Sequence, residues 1–226
     1  MKKQAILLDL DNTLYNYDKP HNKGLSAIFS YCGKHFNFSA EEFRTAYIRG
    51  REKVHIELSE TASSHNRLLY IQKMLESLEI SPFEHALKLY NAYWDTFLEE
   101  MKLYDGVVDF FEKYNGKICV VTDLTAHIQY RKIKKLNIGK YIQFIVTSEE
   151  SGREKPHAYP FMLALEKLRL KNKDVFMVGD SFKKDIVGAL NIGIESYWLN
   201  SNQTNELYDD NLVTEIKSFK ELLELI

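Results

Sequence analysis

Two aspartates directly after a short apolar segment constrain this chain more than any other feature. Residues 4–10 are rich in Ile and Leu. Asp9 and Asp11, which are separated by Leu10, lie at the end of this segment. On an extended backbone, residues two apart point to the same side, so both carboxylates are predicted to project together from the end of a buried strand. Adjacent carboxylates at such a place need a cation or a proton to offset their repulsion. The pair is therefore predicted to serve a hard metal ion and a phosphate group.

From Asp105 onward, strand-like and helix-like segments alternate along the chain. Near-continuous apolar strands that are joined by helices indicate a parallel sheet covered on both faces. The strand candidates are residues 4–10, 117–122, 142–147, 174–178 and 194–199, and the helix candidates are about 105–114, 125–137, 158–169 and 183–191. A short strand and a closing helix are expected within 212–226, after a polar stretch at 200–210 that predicts a surface loop.

Residues from about 19 to 101 contain no convincing strand and predict several amphipathic helices. Ser39 and Glu42 fit a capping box, and Ser81 followed by Pro82 repeats the helix-start pattern. A stripe of apolar residues at helical spacing follows and is predicted to pack against other helices: Leu87, Tyr90, Trp94, Phe97, Leu98 and Met101. The simplest organisation is an α/β core of residues 1–14 and 103–226, with a helical cap domain of residues 15–102 inserted after the first strand.

Composition and charge exclude several classes of protein. The net charge of −2 argues against general binding to nucleic acid or to an anionic membrane, and no stretch is long and apolar enough to span a bilayer. Cys32 and Cys119 lie far apart and predict a reducing compartment without a disulfide, so the cytoplasm is the expected location. Lys132, Lys134 and Lys135 form a small basic cluster, which is predicted to be solvated helix surface.

Polar groups follow the ends of four predicted strands. They are Asp9 and Asp11 after the first strand, Thr122 and Asp123 after the second, Lys155 within GREKP after the third, and Asp180 with Asp185 after the fourth. The carboxyl ends of parallel strands meet at one edge of the sheet, where ligands bind in open α/β folds. These groups are therefore predicted to share one cleft.

The predicted cleft contains the groups that phosphoryl transfer needs. Asp9, Asp180 and a backbone carbonyl offer the hard oxygen ligands that suit Mg²⁺. Lys155 and the Thr122 hydroxyl can hold phosphate oxygens. One aspartate can attack phosphorus and form an aspartyl-phosphate, while the other protonates the leaving oxygen and later activates water. Negative charge nearby favours a protonated second carboxyl, whereas the metal and Lys155 act in the opposite direction.

Together, in this order, the four motifs resemble those of the haloacid dehalogenase-like hydrolase superfamily, in the branch with a helical cap inserted after the first motif. The matching segments are DLDNTL at 9–14, VVTD at 120–123, Lys155 in GREKP, and GDSFKKD at 179–185. SEESGREKPH and VGDSFKKDIVGALNIG are also similar to nucleotidase and phosphoglycolate phosphatase-like members. The resemblance implies a Rossmann-like parallel sheet flanked by helices, with an inserted all-helical cap domain.

The resemblance implies a role for each residue of the first motif. Asp9 would be the nucleophile and a metal ligand. Asp11 would be the general acid and base, and its main-chain carbonyl would bind the metal. Because Asp11 is present, the family pattern favours phosphoryl transfer over dehalogenation. Asn12 stands where Gly or Asp is common, and this change is expected to be tolerated.

The later motifs are implied to bind phosphate and metal. Thr122, Asp123 and Lys155 would bind the transferring phosphoryl group, Asp123 through its backbone N–H. Asp180 would ligate Mg²⁺, and Asp185 would support the metal site. Many relatives carry Asn at the position of Asp123, so its negative charge near the phosphate is a departure from the pattern.

Specificity is expected to lie in the inserted helices, with Arg49, Asn66 and Arg67 as candidates. The run from His65 to Arg67 could bind a second anionic group, or it could simply be the polar start of a helix.

The sequence predicts a Mg²⁺-dependent phosphatase that hydrolyses a small phosphomonoester, such as a nucleotide, a sugar phosphate or a phosphoglycolate-like compound, through an aspartyl-phosphate. Two alternatives stay open: a sugar-phosphate mutase of the same superfamily, and a non-catalytic ligand-binding protein. The expected partner is a small phosphorylated metabolite, with no nucleic acid and no membrane, and the chain is expected to be a monomer or a weak homodimer.

Overall fold

The chain divides into two compact units. The structure, a computed structural model, describes residues 3–200 and 211–226. One unit comprises Met1–Asn16 and Lys102–Ile226, and the other comprises Tyr17–Met101. The boundaries differ slightly from the expected 15–102 because Tyr15 forms a β-bridge with Leu103.

The first unit is built on a six-stranded parallel sheet. Its strands lie in the order β3-β2-β1-β4-β5-β6, so the direction of strand addition reverses at β1. The strands are β1 Ala5–Leu8, β2 Lys117–Thr122, β3 Phe144–Thr147, β4 Val175–Gly179, β5 Glu195–Leu199 and β6 Val213–Ile216. In open α/β sheets the ligand crevice forms where strand order reverses, so the end of β1 is the expected place for a site.

Helices cover both faces of this sheet. The first four helices of the chain belong to the other unit. The helices of this unit are α5 Val107–Lys113, α6 Ala126–Leu136, α7 Ser148–Ser151, α8 Ala158–Leu168, α9 Val187–Leu190 and α10 Phe219–Leu225. All four residues of β1 are buried, as an apolar central strand requires. On one face, Leu7, Val121 and Met177 join a buried cluster with Phe161 and Ala164 of α8. The predicted fold class is confirmed.

The second unit contains helices and no strand across Tyr17–Met101, all of which the structure describes. Its helices are α1 Asp18–His35, α2 Ala40–Glu57, α3 Arg67–Ser77 and α4 Pro82–Glu100, with a short 3₁₀ turn at Ala62–His65. Helix α1 packs on α4, and α2 packs on α3. The close approach of α2 and α3 depends on Gly50, because a Cβ there would lie 2.7 Å from the Tyr70 carbonyl oxygen.

Local helix signals hold in part. The Ser39 hydroxyl accepts from the Glu42 N–H and the Glu42 carboxylate accepts from the Ser39 N–H, so the predicted capping box forms. Ser81 precedes α4 with Pro82 in its first turn, but the Ser81 side chain makes no capping hydrogen bond.

The predicted apolar stripe of α4 is partly wrong. Trp94, Phe97 and Met101 are buried, whereas Leu87 is 63% exposed. The buried face of α4 instead continues through Leu89 and Tyr93. Consecutive residues of an α-helix are about 100° apart, so Leu87 lies to one side of the face that Ala86, Leu89 and Tyr93 form.

The sequence also made predictions about the two cysteines, membrane-spanning segments and the 200–210 loop. Cys32 and Cys119 are both free buried thiols, as expected. No helix in the described ranges is long and apolar enough to cross a membrane. The loop predicted over 200–210 lies outside the described residues from position 201 onward.

Candidate active site

Asp9 occupies the reversal point of the sheet. It directly follows β1, and its N–H donates to the Val178 carbonyl at 2.9 Å, so the backbone of β4 holds it in place. The side chain is buried, with Oδ1 accepting from Lys155 Nζ at 2.6 Å and Oδ2 accepting from Thr13 Oγ1 at 2.8 Å. Burial raises the pKa of Asp9 well above its usual range, and the Lys155 ammonium counteracts this. Two hydrogen bonds thus hold the carboxylate in place, and the nearby Lys155 ammonium does not fully offset the effect of burial on its pKa.

Two further carboxylates lie close to that of Asp9. Ligand atoms of Asp9, Asp180 and Asp185 all lie within 4.8 Å of one another. Asp180 follows β4, and burial together with nearby Asp185 raises its pKa to about 7. Hard oxygen donors at this spacing, with too little positive charge among them, fit a small divalent cation such as Mg²⁺. Asp185 thus lies within this carboxylate group, and its supporting role at the metal site stays a prediction.

The approach of Asp185 to the end of β4 requires a glycine. Asp185 lies in a single π-helical turn, Phe182–Ile186, and its Oδ2 accepts from the Ser181 N–H at 3.0 Å. A Cβ on Gly179 would lie only 2.4 Å from Asp185 Oδ2. The glycine of the GDS motif thus makes room for a carboxylate, which sequence reasoning did not anticipate.

Thr13 links the two aspartates that end neighbouring strands. Its hydroxyl lies 2.8 Å from Asp9 Oδ2 and 3.1 Å from Asp180 Oδ1, and it accepts from the Asp180 N–H at 3.0 Å. Asn12, just before it, adopts a left-handed conformation with φ 66°, which asparagine tolerates better than most residues. The turn that carries the first motif therefore suits the residue found there.

Lys155 lies at the centre of the carboxylate group. It is 4% exposed, and its ammonium donates to Asp9 Oδ1 at 2.6 Å, Asp185 Oδ1 at 2.6 Å and the Val121 carbonyl at 2.9 Å. These three acceptors match its three N–H donors, so a phosphate oxygen would share or replace one of them. The structure thus brings Lys155 together with the metal-ligating candidates, as the strand-end argument predicted.

The charge of Asp123 is neutralised locally. Its Oδ1 accepts from the Lys155 backbone N–H at 3.1 Å, and its Oδ2 accepts from Lys184 Nζ at 2.8 Å. Thr122, at the end of β2, is buried, and its Oγ1 accepts from Gln129 Nε2 at 2.7 Å. The Asp123 carboxylate therefore acts as an anchor for two lysines, which explains how this site accommodates an acid there.

Asp11 is held apart from the other three carboxylates. Lys132 Nζ lies 2.7 Å from both of its oxygens, Gln129 Nε2 donates to Oδ2 at 3.3 Å, and the Tyr15 hydroxyl donates to Oδ1. Burial acts to raise the pKa of Asp11, but the Lys132 charge and these donors outweigh it and hold the pKa below its usual range. The carboxylate of Asp11 does not belong to the group formed by Asp9, Asp180 and Asp185, which we call the metal-type group. The metal-binding role of the Asp11 main-chain carbonyl stays a prediction.

The prediction that Lys132 is solvated surface is wrong. Its side chain is 0% exposed, whereas Lys134 and Lys135 are exposed as expected. The sequence did hold a signal, because Gln129, Lys132, Ile133 and Leu136 are spaced i, i+3, i+4 and i+7 and form the buried stripe of α6. Reading Lys132 with its apolar neighbours, rather than with the two other lysines, places it on the inner face.

The cap candidates do not form a cluster of free polar groups. Arg49 is exposed, and Asn66 caps α3 by accepting from the Leu68 N–H at 2.9 Å. Arg67 is buried, donates to the His65 carbonyl at 3.1 Å and lies 5.0 Å from the centre of the Tyr70 ring. Asn66 thus fits the polar helix start that was one of the two readings, and the role of these residues in specificity stays a prediction.

Known proteins match this chain along nearly its whole length. A ribulose-1,5-bisphosphate 5-phosphatase of Halopiger xanaduensis is 34% identical over 98% of this chain and 98% of its own length. The pyrimidine 5′-nucleotidase YjjG of Escherichia coli is 26% identical over 100% of this chain and 99% of its own length.

Solved structures with low sequence identity share the fold. A 2-haloacid dehalogenase from Pseudomonas syringae superimposes with a TM-score of 0.79 at 21% identity, covering 100% of this chain and 98% of its own. The magnesium-bound form of YfnB from Bacillus subtilis, described as a putative HAD-hydrolase, has a TM-score of 0.74 at 19% identity and covers 100% of this chain and 99% of its own.

The family model described as haloacid dehalogenase-like hydrolase matches residues 6–199, a span that includes all four strand-end motifs. The predicted family and the prediction that the chain is an enzyme are thus confirmed. This chain belongs to the haloacid dehalogenase-like hydrolase family.

Proposed function

We propose that this hydrolase is a Mg²⁺-dependent phosphatase that acts on a small phosphomonoester through an aspartyl-phosphate on Asp9. The observation that carries the proposal is the separation of two carboxylates that are only two residues apart. Asp9 belongs to the buried metal-type group with Lys155, whereas Asp11 is bound by Lys132 and its carboxylate lies outside that group. This separation supports a mechanism in which Asp9 attacks phosphorus and Asp11 transfers protons, the two roles that two-step phosphoryl transfer needs.

The steps follow from these two positions. An Asp9 oxygen forms a bond to phosphorus as the bond to the leaving oxygen breaks. Lys132 favours Asp11 as a carboxylate in the free protein, so the proton that Asp11 gives to the leaving oxygen arrives with the monoanionic form of the phosphomonoester. Ionised Asp11 then accepts a proton from water, which attacks phosphorus and releases inorganic phosphate and free Asp9. Thr122 and Lys155 are positioned to hold the equatorial phosphate oxygens during both steps.

The donor set fits Mg²⁺. Asp9, Asp180 and Asp185, with the main-chain carbonyl of Asp11, are the candidate ligands. Burial raises the pKa values of Asp9 and Asp180 despite the nearby Lys155 ammonium, and a bound cation would offset this effect. When bound, the ion would neutralise charge on the transferring phosphoryl group.

The substrate is proposed to be a small phosphorylated metabolite. The relatives named above act, by their names, on a sugar bisphosphate and on pyrimidine nucleotides, and a further relative is a glyceraldehyde 3-phosphate phosphatase of Methanopyrus kandleri. We propose a nucleotide, a sugar phosphate or a phosphoglycolate-like compound as the substrate class. The cytoplasm and a monomeric or weakly dimeric state remain part of this proposal.

The test combines activity with detection of the intermediate. The wild-type protein should release phosphate from a generic aryl phosphate in Mg²⁺ and stop in excess chelator. Asp9→Asn should abolish turnover while circular dichroism shows an intact fold, and Asp109→Asn, on the exposed side of α5, should behave as wild type. Acid-quenched wild-type enzyme should carry one phosphoryl group on the peptide that contains Asp9.

Three results would decide against the proposal. Normal turnover by Asp9→Asn would reject the nucleophile. Conversion of a sugar phosphate to its isomer, dependent on a bisphosphorylated sugar, would identify a mutase. No hydrolysis across a panel of nucleoside monophosphates, sugar phosphates and phosphoglycolate would favour the ligand-binding alternative.

A further inference from the structure

We propose that Lys132 is a positioning residue that holds the Asp11 carboxylate in place for proton transfer to the leaving group. This inference rests on the proposed phosphatase function. It extends that function to a helix outside the four motifs, because Lys132 lies in α6.

The contact between Lys132 and Asp11 fixes more than a distance. Lys132 Nζ lies 2.7 Å from Oδ1 and 2.7 Å from Oδ2, so a single ammonium straddles both oxygens and restrains rotation of the carboxylate. The Tyr15 hydroxyl adds a third donor from the turn that carries Asp11 itself. The carboxylate is thus held by groups from two separate parts of the chain.

Exposure distinguishes the two sides of this pair. The Lys132 side chain is 0% exposed, whereas the Asp11 side chain is 24% exposed. Asp11 is therefore held from the protein interior and keeps an accessible side for a reacting group. A surface ion pair without a function would leave the lysine in water, since burying an ammonium carries a large desolvation cost.

The same helix also reaches the phosphate-binding hydroxyl. Gln129 lies one helical turn before Lys132. Its Nε2 is 2.6 Å from the Asp123 carbonyl, 2.7 Å from Thr122 Oγ1 and, more weakly, 3.3 Å from Asp11 Oδ2. Thr122 Oγ1 accepts this bond and itself donates to the Asp123 carbonyl at 3.4 Å, a long hydrogen bond that a phosphate oxygen could replace as acceptor. Helix α6 therefore contacts both the proposed acid–base group, Asp11, and the proposed phosphate-binding hydroxyl of Thr122. Lys132 is the charged residue among these contacts.

A positioning role has a specific kinetic consequence. As the bond from phosphorus to the leaving oxygen breaks, Asp11 gives up its proton to that oxygen, while Lys132 keeps its own protons throughout. A leaving group that is stable as an anion needs little of this assistance, whereas a poor leaving group depends on it. Loss of Lys132 should therefore slow poor leaving groups more than good ones, which a general loss of folding or binding would not do.

The experiment compares two substrates of nearly the same shape. Lys132→Met, Lys132→Arg and the control Lys135→Met are assayed on p-nitrophenyl phosphate, which has a good leaving group, and on phenyl phosphate, which has a poor one. The quantity compared is kcat/KM, because it reports the first phosphoryl transfer whatever limits later steps. Lys135 lies on the same helix but is exposed, outside the buried stripe that contains Lys132.

Lys132→Met should lower kcat/KM for phenyl phosphate by about tenfold or more beyond its effect on p-nitrophenyl phosphate, within the usual contribution of general acid catalysis. Lys132→Arg, which keeps the charge, should recover part of that ratio, and Lys135→Met should match wild type on both substrates. If Lys132→Met does not fold, Lys132→Gln replaces it under the same criterion, because its amide can still hydrogen-bond in the buried position.

Equal losses on both substrates, or no loss, would overturn the positioning role while leaving the phosphatase proposal intact. A wild-type protein that hydrolyses neither aryl phosphate would overturn both.

Discussion

Removing the ammonium of Lys155 should destabilise the core unit strongly in the absence of a cation. Lys155 forms two ion pairs of 2.6 Å, with Asp9 and Asp185, and the three side chains are only 3%, 7% and 1% exposed. Lys155→Met would leave these carboxylates and nearby Asp180 buried without that counter-charge. Breaking a buried ion pair by removing one partner costs about 3–5 kcal/mol. For a chain of this size, that loss corresponds to a fall of roughly 6–20 °C in Tm.

The assay is urea unfolding followed by tryptophan fluorescence. The chain has two tryptophans, so a Trp94→Phe background leaves Trp198 as the reporter. Trp198 Nε1 donates to the Asp180 carbonyl at 2.9 Å, which places the reporter beside the carboxylates. Lys3→Met is the matched control, because Lys3 pairs with Glu195 at 2.9 Å but both side chains are about a quarter to a third exposed, at 26% and 31%. That pair should contribute at most about 1 kcal/mol.

Magnesium provides the second half of this test. A divalent cation supplies the positive charge that Lys155→Met removes, so the variant should bind Mg²⁺ more tightly than wild type. Its deficit in the free energy of unfolding should then be smaller in saturating Mg²⁺ than in chelator, since ligand binding to the folded state adds stability. A loss in chelator no larger than that of Lys3→Met, or a deficit that grows with Mg²⁺, would refute the electrostatic reasoning.

Two further predictions concern the same group of carboxylates. Asp180 has a pKa of about 7 in the folded protein against an ordinary value of 3.8, so in chelator the folded state retains a proton that the unfolded state loses. The wild-type protein should therefore lose stability relative to Asp180→Asn as the pH rises from about 4 to about 7, which urea unfolding midpoints measure. A stability difference that does not change with pH would contradict this. Gly179→Ala places a Cβ 2.4 Å from Asp185 Oδ2, so it should lower the free energy of unfolding by about 1–3 kcal/mol and weaken Mg²⁺ binding, as measured by calorimetry. The control Gly33→Ala, whose Cβ would have nothing within 4 Å, should be neutral or slightly stabilising. Equal effects of the two substitutions would count against the close-approach argument.

Sequence patterns were sufficient for most of the fold because they report local geometry. The predicted strand at 117–122 coincides with β2, and the predicted strands at 174–178 and 194–199 differ from β4 and β5 by one residue at most at each end. Near-continuous runs of buried β-branched and aliphatic residues that alternate with helical segments are typical of a parallel sheet covered on both faces. The same logic placed Asp9, Lys155 and Asp180 at one edge, where the structure brings them together.

Boundaries and exposed faces were less predictable. Leu87 was assigned to the packed face of α4 and is exposed, and Tyr15 was assigned to the cap and lies in the core unit. The position of Tyr15 depends on a partner that is distant in sequence. For Tyr15 that partner is Leu103, 88 residues later, and no local pattern announces such a pairing.

The sequence by itself determined the alternation of strands and helices, the four motifs and therefore the family, because these depend on spacing along the chain. Only the tertiary structure decided which charges meet: that Lys132 is buried on Asp11, that Lys184 neutralises Asp123, and that Asp185 joins the metal-type group. Whether a lysine lies in water or on a carboxylate is set by how a helix packs on a strand end far away in the chain. That packing is a property of the whole core, and short-range periodicity does not encode it.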